Sequence, residues 1–352
     1  MKTERNSSFE LLRLLCIFGI TVMHAFANID TGGSWLNTEA HILFNSVFNT
    51  GVTCFILISG YFGIHFKPEK LIRMDCMVIF FTVAGTILLG DFGIKSLIKS
   101  CIPVISRRYW FITCYFALCI LAPFLNQIPE RLERAKFRSL LLVLLLLFSV
   151  IPTLTTYDIM QDAGKGLVHF VMVYLIGRYL ARYHNRQYSG KILAFGFLCC
   201  ILVIFLLDSG LTFLHRGVIY STFARDCSLF IILAAVLLLL LFGAIKFTSP
   251  LVNRIASNVL AITVLDSVLM NLLNRRFSLN AHAHSKFLTC MVIGYALIVV
   301  IIAVVSNEIR KFTVGRIEPW LCDFVVKLWN RIQNLILLLA DRIAAAFLQE
   351  KR

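Results

Sequence analysis

KILAFGFLCCILVIFLLD, residues 191–208, decides the fold. Every residue between Lys191 and Asp208 is apolar or small and uncharged. About 20 such residues, wound as a helix, cross the ~30 Å hydrocarbon core of a bilayer. In lipid the backbone amides must find partners within their own segment, so the stretch reads as a helix rather than a strand. Working outward, comparable runs lie at 9–28, 41–63, 74–93, 109–126, 138–154, 166–183, 227–246, 257–273 and 286–306. The chain of 352 residues is 59% hydrophobic and 15% charged, with a mean hydropathy of +0.83. Soluble domains carry about 25% charged residues, so this chain lacks the charge to cover a water-facing surface. The expected architecture is all-α: a polytopic membrane bundle of about ten transmembrane helices, with residues 1–310 forming one domain.

Residues 311–352 read differently. Trp320, Leu321, Phe324, Leu328, Trp329, Ile332, Leu335, Ile336 and Leu339 recur at helical spacing, with Lys327, Arg331 and Arg342 among them. Such a pattern predicts an amphipathic helix on the inner leaflet, with a packing or dimer helix as the alternative.

The net charge is +15, from 34 Lys+Arg against 19 Asp+Glu. In a soluble protein this would raise nucleic acid as a partner. Here the basic residues fall in short loops between apolar runs, where they report topology and contact lipid headgroups. No nucleic-acid role is expected. Lys2, Arg5, Lys67, Lys70 and Arg73 belong to the richer set of loops; Lys165 and Arg216 belong to the poorer set. The bias puts both termini on the cytoplasmic side of the plasma membrane. The eleven cysteines sit mostly within apolar runs and form no CxxC pair. His282 and His284 lack a third ligand, so no metal centre is expected.

Ionisable residues inside spans are costly and mark candidate function. The first span, FELLRLLCIFGITVMHAF (residues 9–26), holds Arg13 and His24. At 100° per residue their separation amounts to three turns plus about 20°, so both face nearly the same way, about 16 Å apart along the axis. An Arg near the cytoplasmic face keeps its charge and can pair with phosphate. A His in a water-filled cavity can take a proton near neutral pH. The plainer alternative is a snorkelling Arg and a His bonded to a neighbouring helix.

Four segments in register extend this reading. The first span carries Arg, ten residues, then His, with Glu10 just before. GVTCFILISGYF (51–62) is followed by a basic loop. YWFITCYFALCILAPFLN spans 109–126, and HFVMVYLIGRYLARY spans 169–183. Together they resemble acyltransferase family 3, polytopic enzymes that move acyl groups, usually acetyl, from acyl-CoA to sugar hydroxyls. The chain departs from the family pattern at VLAITVLDSVLM (259–270), where Asp266 stands near the place of a common His.

The resemblance implies an O-acetyltransferase with acetyl-CoA as donor and no permanently bound cofactor. Its acceptor would be a saccharide of a surface polysaccharide or a lipid-linked precursor. His24 would be the catalytic residue, as general base or as carrier of a transient acetyl group. Arg13 would serve the donor side or orient the His. Lys67, Lys70 and Arg73 would receive the phosphoadenosine end of CoA, unless they serve topology alone. Trp110 and Tyr115 would stack on a sugar face, or else belong to the interfacial aromatic belt. Arg107 and Arg108 would meet an anionic sugar or a lipid pyrophosphate. His169 would form a second polar wall of the site, or sit as a satisfied interior His. Asp266, deep in its span, needs a partner, Arg13 or a His. The rival function is a transporter or flippase of lipid-linked saccharides, which does not account for the Arg13/His24 spacing.

Overall fold

The computed structural model describes residues 6–184, 186–215 and 218–349. Lys2, Arg5 and Arg216 lie outside the described residues, as do the side chains of Ile336, Leu339 and Arg342. Among the described residues there is no strand. The helices are α1 (Ser7–Phe26), α2 (Trp35–Phe48), α3 (Thr50–Phe62), α4 (Pro68–Leu88), α5 (Ile94–Cys101), α6 (Trp110–Leu125), α7 (Ile128–Arg131) and α8 (Arg134–Leu145). They continue with α9 (Ile151–Thr155), α10 (Leu167–Tyr183), α11 (Gly190–Leu214), α12 (Leu229–Ala244), α13 (Pro250–Ala256), α14 (Val259–Asn274), α15 (Leu288–Phe312) and α16 (Glu318–Gln349).

Each of the ten expected segments is helical. Seven of them are long and apolar enough to cross a membrane: α1, α2 with α3, α4, α6 with α7, α8 with α9, α11 and α15. The pair α13 and α14, bent by 52° at Ser257–Asn258, makes up to eight. α10 and α12, at 17 and 16 residues, fall short of the ~20 that span a bilayer core. The bend also explains why hydropathy found only 257–273 there. Ser249 caps α13 through Oγ, with Pro250 in its first turn, so the chain turns helical earlier than its apolar run.

α11 shows how the bundle meets lipid. Phe195, Leu198, Leu202 and Leu206 are exposed at helical spacing, while Leu193, Cys200, Ile201 and Ile204 are buried. An apolar residue facing outward is costly in water and free in lipid. α1 is the central helix, touching α2, α3, α12, α13, α14 and α15.

The closest pair is α3 and α10, where small residues let two backbones approach. Gly60 faces the backbone of Tyr174, and Gly177 faces Leu57 O and Tyr61 N, with no room for a Cβ at either. Gly177→Val is therefore expected to destabilise the folded protein by about 1–3 kcal/mol or more through overpacking. Thermal unfolding in detergent tests this; an unchanged Tm would refute the close packing.

The tail helix is tied down at its start. Glu318 pairs with Arg310, which is 6% exposed and also bonds Asn307 through Nε at 2.8 Å. Its guanidinium lies 5.9 Å from the Phe81 ring centroid. The first turns of α16 pack on α4, with Cys322 buried.

Candidate active site

α1 brings Ile17, Ile20 and His24 to one face, at i, i+3 and i+7. That face borders a cavity of about 260 Å³. Opposite stand Thr263, Asp266 and Ser267 of α14, and the third side is Arg108, Tyr109, Trp110 and Phe111 at the start of α6. The turn into α6 runs through Arg107 in the left-handed region (φ 53°). α3 closes the cavity with Val52 and Phe55.

Within it, His24 Nδ1 lies 2.5 Å from Asp266 Oδ2. The other carboxylate oxygen of Asp266, Oδ1, accepts from Ser267 N at 2.5 Å and Ser267 Oγ at 3.0 Å. Asp266 is thus fully engaged, and its side chain is 3% exposed. A carboxylate only accepts, so Nδ1–H donates and the lone pair is left on Nε2. The imidazole is 50% exposed, and no described residue bonds Nε2. A fixed tautomer with a free, accessible Nε2 can take a proton from a bound hydroxyl. His24 stands in the last turn of α1, so this cavity lies toward one end of the bundle.

The expected site residues do not all meet. His24, Arg108 and Trp110 share the cavity. Arg13 does not reach it; its Nη1 pairs with Glu10 Oε1 at 3.1 Å, one turn earlier on the same helix. Lys67, Lys70 and Arg73 are exposed around the start of α4, without an ion pair among the described residues. Arg107 is exposed beside the cavity and does not line it.

Tyr115 and His169 turn elsewhere. Tyr115 OH lies 3.4 Å from Ser59 Oγ, and its ring stacks on Phe111. His169 is buried, with Nε2 3.4 Å from Thr53 Oγ1 and Nδ1 unpartnered. Neither lines the cavity, so the second polar wall is α14 rather than α10.

Two residues were not assigned to the site by sequence. Tyr109 lines the cavity, its hydroxyl 3.5 Å from Thr82 Oγ1. Its only signal is adjacency to Trp110. Lys165, counted above only for topology, places Nζ 6.0 Å from the Trp110 ring centroid. Its loop packs on the loop before α12, where Cys227 N donates to Ala163 O at 3.2 Å.

Asp226 in that loop is 3% exposed, with Oδ1 unpartnered. Burial pushes its carboxyl from 3.8 up to about 7, Lys165 opposing and Asp162 reinforcing. Between those values the folded state keeps a proton that the unfolded state has lost. Stability from this group therefore falls as pH rises from about 4 to about 7 and stays low above. Asp226→Asn should remove that slope, raising Tm at pH 8 relative to wild type more than at pH 5. An equal difference at both values would refute the assignment.

No curated protein and no solved structure matches the chain. Residues 6–307, however, match a family model described as an acyltransferase domain. That stretch takes in α1 with its Arg13/His24 spacing, every wall of the cavity and nearly all of α15. The chain belongs to acyltransferase family 3, and it is a membrane acyltransferase.

Proposed function

We propose that this membrane acyltransferase moves an acetyl group from acetyl-CoA to a hydroxyl of a saccharide, within a surface polysaccharide or its lipid-linked precursor. The observation that carries the reading is the His24–Asp266 pair, held at 2.5 Å in the wall of a cavity with Nε2 left free.

The acceptor oxygen attacks the thioester carbonyl carbon while its proton passes to Nε2 of His24. A C–O bond forms, the C–S bond breaks, and the proton leaves His24 for the CoA sulfur, giving free CoA thiol and the acetyl ester. Asp266 accepts from Nδ1 throughout and stabilises the imidazolium. A thioester is already activated, so positioning and one base suffice.

The donor enters from the cytoplasmic face of the plasma membrane, with both termini on that side. Lys67, Lys70 and Arg73 are exposed, without an ion pair among the described residues, and would meet the CoA phosphates. Arg13, about 16 Å from His24 along α1, serves the donor side by pairing with a CoA phosphate. Trp110 offers a face for the acceptor ring. The family match favours transfer over transport of a lipid-linked saccharide.

The test uses protein in sealed vesicles of known orientation, with labelled acetyl-CoA on one side and an acceptor glycan mixture on both. Label should enter glycan only when donor is on the face that carries the C-terminus. Reversing Lys67, Lys70 and Arg73 to Glu should raise the donor KM by roughly 10-fold or more at similar kcat, the equivalent of losing one or two charge-assisted bonds. An unchanged KM would remove the donor role of that loop. Glycan movement across the vesicle without label incorporation would favour the flippase.

A further inference from the structure

We propose that the acceptor presents an anionic group to Arg108 and Lys165, which flank Trp110 at the cavity; this rests on the acyltransferase reading above.

Arg108 is held through its guanidinium, and Lys165 through the backbone of its loop. Arg108 Nη1 donates to Ser100 Oγ at 3.1 Å. Ser100 is fully buried and tied to Thr86 Oγ1 at 2.7 Å and Ser96 O at 2.8 Å, so the guanidinium hangs from a fixed point. The guanidinium also neighbours the Tyr109 hydroxyl and meets no carboxylate among the described residues. Lys165 sits on a loop pinned at several points. Asp158 accepts from the N–H groups of Met160, Asp162 and Ala163 at 3.1, 2.9 and 2.8 Å. Arg225 bonds Thr156 O and Pro152 O at 3.0 and 2.8 Å. Gly164, at φ 85°, lets the loop lie against the backbone of Cys227, where a Cβ would collide.

Neither cation is neutralised. Among the described residues no carboxylate stands within ion-pair distance of Arg108 or Lys165. Asp266, the carboxylate lining the cavity, is taken up by His24 and Ser267. Asp226 lies near enough to Lys165 to feel its charge, and Asp162 lies near Asp226. Asp162 spends Oδ1 on Gly164 N, and Asp226 is buried in its own loop.

Two exposed cations, Arg108 in the cavity wall and Lys165 beside Trp110, stand next to one aromatic face without a carboxylate at ion-pair distance among the described residues. A bound anion supplies the counter-charge, and charge-assisted bonds from a prearranged Arg are the strong kind. Trp110 takes the sugar ring, and the cations take a carboxylate or phosphate beside it. The anionic group then fixes which hydroxyl reaches Nε2 of His24.

The experiment compares matched acceptors with reconstituted wild-type protein and labelled acetyl-CoA. One pair is a uronic-acid oligosaccharide and its methyl ester, which removes the charge at nearly constant size. The other is a neutral oligosaccharide, free or linked to an isoprenyl pyrophosphate. The charged member of one pair should be acetylated with a kcat/KM roughly 10- to 100-fold higher. Preference in the first pair assigns the anion to the sugar, and preference in the second assigns it to the carrier; either supports the proposal. Arg108→Gln and Lys165→Gln should each shrink that ratio toward one, with the donor KM unchanged. Label transfer with no preference in either pair overturns the proposal and leaves the acyltransferase reading standing. A ratio that survives both substitutions also overturns it. No transfer to any member would overturn both.

Discussion

His24→Ala is expected to lower acetyl transfer by roughly 100- to 10,000-fold, the range for losing a positioned general base. The loss should appear in kcat, because the imidazole works on the proton that moves as the C–O bond forms. The donor KM should change little, since no basic loop or phosphate-facing group is touched. Folding should survive. His24 is half-exposed in the last turn of α1, its main bond is to Asp266, and no core cluster depends on it. The substitution does leave Asp266 buried with one oxygen unpartnered, so a lower Tm is expected alongside intact membrane insertion. His24→Gln preserves size and can still donate to Asp266, but it supplies no base. It should be as inactive as alanine and closer to wild type in stability. Activity within a few-fold of wild type in either variant would remove His24 from the chemistry.

Asp266→Asn should cost a comparable amount, again roughly 100- to 10,000-fold in kcat, by the logic of an imidazole whose orienting carboxylate becomes an amide. The amide keeps the volume and can still accept from Ser267. Toward Nδ1 it turns either its weaker acceptor or a donor. A donor there would move the lone pair to Nδ1 and the hydrogen to Nε2, leaving no base facing the cavity. An amide also lacks the negative charge that stabilises the imidazolium. Because Asp266 is 2% exposed, Asp266→Leu is a separate test of packing and should hold the fold better than Asp266→Ala. All three variants should be nearly silent in catalysis, whatever their order in Tm. A variant that follows stability instead of catalysis would make Asp266 a structural residue only.

Much of this was legible in the chain. Long uncharged runs such as 192–207 fix helices in lipid with no need of a partner, because the solvent alone sets the rule. The placement of His24 followed from helical geometry, since Arg13, Ile17, Ile20 and His24 step along one face of α1, and Ile17, Ile20 and His24 meet the cavity. Asp266 announced itself as a buried carboxylate in need of a partner. Which partner it takes is a contact across 242 residues, and local periodicity carries no trace of such a contact.

Other residues were illegible for identifiable reasons. α10 is buried through His169, Phe170 and Met172–Gly177, so no apolar stripe marks which way His169 turns. Tyr115 sits on α6, apolar on every side, and periodicity could not separate the cavity face from the Ser59 face. Lys165 belongs to a loop whose course depends on Asp158 capping and on Arg225 from a distant segment. The tail's tie to the bundle combines packing of its first turns on α4 with one ion pair from Glu318, just ahead of an amphipathic pattern that reads the same with or without a buried Arg310 to meet.

The central claim is that His24 and Asp266 act as one unit on the acceptor hydroxyl. The most direct measurement is a double-mutant cycle on kcat/KM for labelled acetyl transfer, using His24→Ala, Asp266→Asn and the double variant in vesicles matched for folded protein. Residues that share one task lose it once, so the double variant should be no slower than His24→Ala within a few-fold. Losses that multiply, each substitution costing its full factor in the presence of the other, would show that the two act separately and contradict the account.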